Sequence, residues 1–126
     1  MNWCDRSLWQ CRYNFGLCLS EKEFQKQMKA MNVPPHQWPR WISEEANATT
    51  HFLDHPDGAK AAIVCIDKTP DRTGVQVAAL LVHEAVHIWQ EHRDSVGEHD
   101  PSAESEAYAI QNISQRLMEA YSKAAL

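Results

Sequence analysis

The stretch Leu80–His92, LLVHEAVHIWQEH, carries the residues of this chain best suited to chemistry. His83 and His87 are four apart, with Glu84 between them, in a His-Glu-x-x-His pattern. On a helix that spacing puts both imidazoles on one face, one turn apart. Zinc takes neutral imidazole nitrogen at about 2.0–2.1 Å, and one helix face can supply two such ligands. Glu84 lies about 100° round from His83. From there it can reach a metal-bound water without ligating, which is the position of a general base. The spacing predicts a zinc cofactor held by His83 and His87, with Glu84 as the catalytic base.

A catalytic zinc usually has three protein ligands and one open position. His92 is nine residues past His83, and at about 100° per residue it faces the opposite way. A ligand three turns into the helix is disfavoured too, because Gln90 and Arg93 stand where a metzincin would have glycine and histidine. His99 in VGEHDP, and Glu104 and Glu106 in PSAESEAYAIQNI, are the remaining candidates. Ala103, Ala107, Ile110, Leu117 and Tyr121 define an apolar stripe on the last helix. Glu106 falls on one flank of it. Glu104, Tyr108, Gln111 and Gln115 form a polar row on the other, as a ligand and its supporting groups would. Periodicity alone does not separate the two glutamates.

HEAVH followed by ESEA resembles the gluzincins, zinc peptidases whose third ligand is a glutamate on a second helix. The matching residues are His83, Glu84, His87 and Glu104, with Ala107 as the alanine of the Glu-x-x-Ala pattern. The resemblance implies Glu104 as the third ligand. Many gluzincins carry an aspartate after that alanine to brace a ligand; here the position is Tyr108. The same text is similar to small stand-alone metallopeptidases of phage and bacterial genomes. The resemblance covers roughly Val75 to Ile113, and the N-terminal half contributes no motif to it.

Several elements must position these residues. RYNFGLCLS reads as a strand, and SEKE after it as a capping box with Ser20 as N-cap and Glu23 three residues on. Phe24, Met28 and Met31 recur at helical spacing until VPPHQWPR ends the pattern. ANATTHFLDH and KAAIVCID read as two strands joined by the turn HPDG. A helix follows from about Thr73 to His92, with Val77, Ala78, Leu81, Val82, Ala85, Ile88 and Trp89 as its packing face. RDSVGEHDP breaks it, and a last helix runs from about Pro101 to Ala124 with Asp100 as N-cap. The short connection makes the two helices antiparallel neighbours. The expected fold is α+β: a small antiparallel sheet, a zincin-like HExxH helix and an antiparallel C-terminal helix.

With 126 residues the chain has the length of one domain, 1–126, able to bury a core without staples. A net charge of -5 disfavours nucleic acid as a partner. No apolar run approaches a membrane span. MNWCDRSLWQC has no continuous apolar region, which predicts cytoplasmic residence and reduced thiols at Cys4, Cys11, Cys18 and Cys65. The tryptophans, including the pair in HQWPRW, are expected to cap a small core. Tyr108, His99 and Arg93 are each able to stabilise an oxyanion, and spacing selects none of them.

The expected activity is zinc-dependent hydrolysis of peptide bonds in a peptide or protein substrate, lying extended along a sheet edge. The rival expectation is a catalytically inactive zinc-binding interaction or inhibitor module acting on a protein partner. A metal-free interaction domain is the third.

Overall fold

The computed structural model describes residues 1–5, 11–55, 57–69 and 71–125. In chain order the elements are β1 (Asn2–Trp3), β2 (Asn14–Cys18), α1 (Glu21–Ala30), a 3-10 turn (Pro35–Gln37), β3 (Ala48–Asp54), β4 (Lys60–Ile66), α2 (Gly74–Ser95) and α3 (Ala103–Ala125). The class is α+β. The sheet, however, is mixed rather than wholly antiparallel. Its order is β1-β2-β4-β3, and β2 pairs parallel with β4 while β1–β2 and β3–β4 are antiparallel. The parallel pair arises because the expected hairpin inserts next to the first strand through β4, its second arm. That leaves β3 at the edge.

Strand burial follows from this order. Ala61 to Ile66 are all buried, as expected of a central strand covered on both faces. Edge strand β3 is only half-buried. Alternation sends Ala62, Val64 and Ile66 to one face, where with Phe15 and Leu17 they meet Leu81, Ala85 and Ile88 of α2 and Ile113 and Leu117 of α3. Ile63 and Cys65 go to the other face and meet Phe24 and Met28 of α1. The sheet is thus covered by α2 and α3 on one side and by α1 on the other.

Caps fix where the helices begin. Ser20 Oγ accepts the Glu23 N–H at 3.2 Å, as the capping box requires. The reciprocal bond shifts by one residue: Glu23 Oε2 accepts from Leu19 N–H rather than Ser20 N–H. At α2, Thr73 Oγ1 accepts the Gln76 N–H and Gln76 Oε1 accepts the Thr73 N–H, a complete reciprocal pair. The helix outruns His92 and ends at Ser95, closed by Gly97 at φ +72° and a Glu98 N–H bond back to Arg93 C=O. Asp100 does not cap α3. Ser102 does, its Oγ accepting the Ser105 N–H at 3.1 Å. A cap two residues later leaves Pro101 outside the helix.

α2 and α3 lie antiparallel. Trp89 meets Glu106 at one end, and at the other Val77 and Leu81 face Met118 and Tyr121 across an apolar groove of about 450 Å³. The buried face of α3 follows its apolar stripe only in part. Leu117 is buried and Ile110 and Tyr121 pack on the core, but Ala109, Ile113 and Ser114 are buried as well, and Ala103 and Ala107 are exposed. The indoles behave as core caps: Trp89 is buried, and Trp38 and Trp41 pack on the α1 cluster, Trp38 Nε1 donating to Val33 C=O at 2.7 Å. Trp3 is the exception at 48% exposed, and Trp9 lies outside the described residues. No disulfide joins the four cysteines. Among the described residues no helix is long and apolar enough to cross a membrane.

Candidate metal centre

The HEAVH segment sits midway along α2. Leu81, Ala85 and Ile88 anchor one side of the helix in the core, against the sheet. Helical spacing then leaves His83 and His87 outward, and both are exposed. Their Nε2 atoms converge to 3.2 Å, with the rings edge-to-face and centroids 4.9 Å apart. Two zinc–nitrogen bonds of about 2.05 Å meeting near the tetrahedral angle hold their nitrogens about 3.3 Å apart. The observed separation is close to that spacing, so one ion could bridge the two nitrogens.

Glu84 differs in burial. It is 4% exposed, at the margin of the helix's packed face. Its rotation of about 100° from His83 places it between the outward histidines and the sheet. Thr50 of β3 donates from Oγ1 to Glu84 Oε1 at 2.9 Å. The second oxygen, Oε2, lies 3.9 Å from His83 Nε2. Ligand atoms of His83, Glu84 and His87 all fall within 4.8 Å of one another, the one such group among the described residues able to hold a metal ion. Beside it opens a cleft of about 690 Å³, lined by His83, Glu84, Leu80, Ala48, Asn47 and Arg72 among others. Arg72 is anchored at its rim by bonds to Asp67 C=O and Asn47 C=O at 2.8 and 3.3 Å.

The other candidate ligands stay apart from this group. Glu104 is exposed in the first turn of α3 and does not join it. Glu106, two residues and roughly 200° of helix away, is the one turned toward α2. Its Oε2 accepts from Trp89 Nε1 at 2.8 Å and lies 3.9 Å from Arg93 Nη1. His99 is exposed in the loop between the helices. His92 faces away from the pair, accepting the Arg12 N–H at Nδ1 (3.0 Å) and stacking on Trp89. Burial holds its pKa below the usual imidazole value. Tyr108, at 64% exposed, and Arg93, occupied by Asp94 and Glu106, make no contact with the histidine pair.

Thr50 is the site residue that sequence reasoning missed. It stands 34 residues before Glu84 and belongs to no motif. The one available signal was the period-2 pattern of β3, which puts Ala48, Thr50 and Phe52 on the α2 side of the sheet.

No protein-family model, curated protein or solved structure matches the chain.

Proposed function

We propose that this chain is a zinc-dependent peptidase, with His83 and His87 binding the metal through Nε2 and Glu84 acting as general base. The observation that carries this reading is the pairing of two convergent, outward imidazoles with a buried carboxylate whose Oε2 faces them. A structural site has no need of a carboxylate placed in that way. Zinc, when bound, supplies Lewis acidity and a water that ionises near neutral pH.

The chain's own residues do the rest. Glu84 Oε2 accepts a proton and returns it to the departing amine nitrogen. The apolar wall of the cleft at Leu80 and Ala48 receives substrate side chains, and Arg72 marks its far rim. Glu104 is the third ligand in this proposal. Because it faces solvent here, its recruitment requires the first turn of α3, capped only by Ser102, to rearrange when metal loads.

The test is a zinc-loaded protein incubated with a peptide mixture and read by mass spectrometry. Glu84→Gln should keep zinc stoichiometry while cutting turnover by about 10²–10⁴-fold, the range for removal of a general base. A zinc-loaded wild type that cleaves nothing, or a Glu84→Gln variant as active as wild type, overturns the proposal.

A further inference from the structure

We infer that Thr50 is a positioning residue for Glu84, holding one carboxylate oxygen so that the other stays directed at the histidine pair. This assignment rests on the function proposed above. A glutamate has three rotatable side-chain bonds, and a base must present a free oxygen in one place. Glu84 is 4% exposed, so water does not hold it there. Among the described residues, Thr50 supplies the one side-chain hydrogen bond to its carboxylate, at 2.9 Å to Oε1. That bond divides the two oxygens: Oε1 is occupied by the sheet, and Oε2 is left 3.9 Å from His83 Nε2.

The donor is itself well fixed. Thr50 pairs with Val64 in the β3–β4 ladder, and its neighbours on the same face, Ala48 and Phe52, pack on the main core. A β-branched side chain on a strand has little χ1 freedom, so the hydroxyl is held by the backbone. The contact also satisfies a buried anion that would otherwise lack a donor. Valine has nearly the same shape and no hydroxyl. Serine keeps the hydroxyl and drops the methyl.

The test uses the full chain as wild type, Thr50→Val, Thr50→Ser, Glu84→Gln and the Thr50→Val/Glu84→Gln double variant. Zinc affinity is measured by competition with a chromophoric chelator, and kcat and KM on a peptide that the wild type cleaves. Thr50→Val should leave zinc affinity and KM within about twofold and lower kcat about 10- to 100-fold, the loss expected of a misplaced reacting group. Thr50→Ser should recover kcat to within about threefold of wild type on the same reasoning. In the Glu84→Gln background Thr50→Val should cost nothing further. A Thr50→Val variant with wild-type kcat overturns the assignment. So does a Thr50→Ser variant as slow as Thr50→Val, or a loss that persists in the Glu84→Gln background.

Denaturant unfolding of the metal-free wild type, Thr50→Val, Glu84→Ala and Thr50→Val/Glu84→Ala proteins reads the contact without any activity, because alanine removes the acceptor that glutamine would keep. The two substitutions should shift the midpoint non-additively, and strict additivity overturns the positioning role whatever the enzyme does. A wild type that binds zinc but hydrolyses nothing fails the proposed function itself, and the catalytic role of Thr50 falls with it.

Discussion

Trp89 Nε1 donates to Glu106 Oε2 at 2.8 Å, and this bond ties the first turn of α3 to α2. With Glu106 drawn in, Glu104 is carried to the solvent side. Trp89→Phe keeps an aromatic ring and removes the donor together with part of the buried indole. It should lower unfolding free energy by at least about 1 kcal/mol, from the bond to a partly exposed carboxylate and the lost packing. An unchanged urea midpoint would show that neither contributes to stability.

The two glutamates in the first turn of α3, Glu104 and Glu106, should separate cleanly. Glu104→Gln should weaken zinc binding by more than about tenfold, since even outer-shell partners of a metal site are worth 10–100-fold. Being exposed, it should change stability by less than about 0.5 kcal/mol. Glu106→Ala should do the reverse, because it removes the acceptor of the Trp89 Nε1–H bond and one of the two carboxylates beside Arg93. Chelator competition and denaturation on the same two variants decide this. If zinc affinity follows Glu106 instead, the third ligand is Glu106.

Gly16 should accept no side chain. A Cβ there would lie 2.5 Å from Asn2 O and 2.9 Å from Trp3 Cα, both backbone atoms of β1. Gly16→Ala should push β1 off β2 and cost about 1–3 kcal/mol, in the range of overpacked sites. Amide exchange at Cys4, whose N–H bonds Phe15 C=O at 2.8 Å, should accelerate selectively. Wild-type protection at Cys4 in the alanine variant would contradict the close approach.

His92 should make stability pH-dependent. Burial lowers its folded-state pKa, so the unfolded chain takes up the proton first as pH falls. Stability is then fully present above the unfolded imidazole value of about 6.5 and declines as pH drops from there toward the folded value. Protonation also removes the Nδ1 acceptor that holds the Arg12 N–H. His92→Gln should flatten this part of the curve. A slope between pH 6.5 and 5 that is identical in both proteins would assign it to other groups.

Much of this was legible in the chain, and the exceptions share a cause. His83, Glu84 and His87 are linked through one helix, so their grouping follows from local geometry. The hairpin and the cap at Ser20 are local too. β1 was invisible because two residues carry no period; its pairing depends on a glycine partner far along the chain. The parallel β2–β4 register is likewise non-local. The first turn of α3 was misjudged because alanines at 103, 107 and 109 make several stripes equally apolar there. Glu106, rather than Glu104, is the one that meets an indole N–H of α2. Asp100 and Ser102 both suit an N-cap, and the chain used the later one.

The β3–β4 ladder has a consequence beyond holding the sheet together. Side chains on a strand alternate, so Thr50 faces Glu84 while its neighbour His51 turns to the opposite side and contacts Trp41 C=O at 2.9 Å. A slip of β3 by a single residue would exchange those two environments, putting a bulky imidazole or Thr49 against the buried carboxylate. The turn from His55 to Ala59, closed by the His55 N–H to Ala59 C=O bond at 2.8 Å and by Gly58 at φ +93°, sets that alignment. It works as a length gauge. A surface turn well outside the HEAVH helix decides which side chain the helix's carboxylate meets.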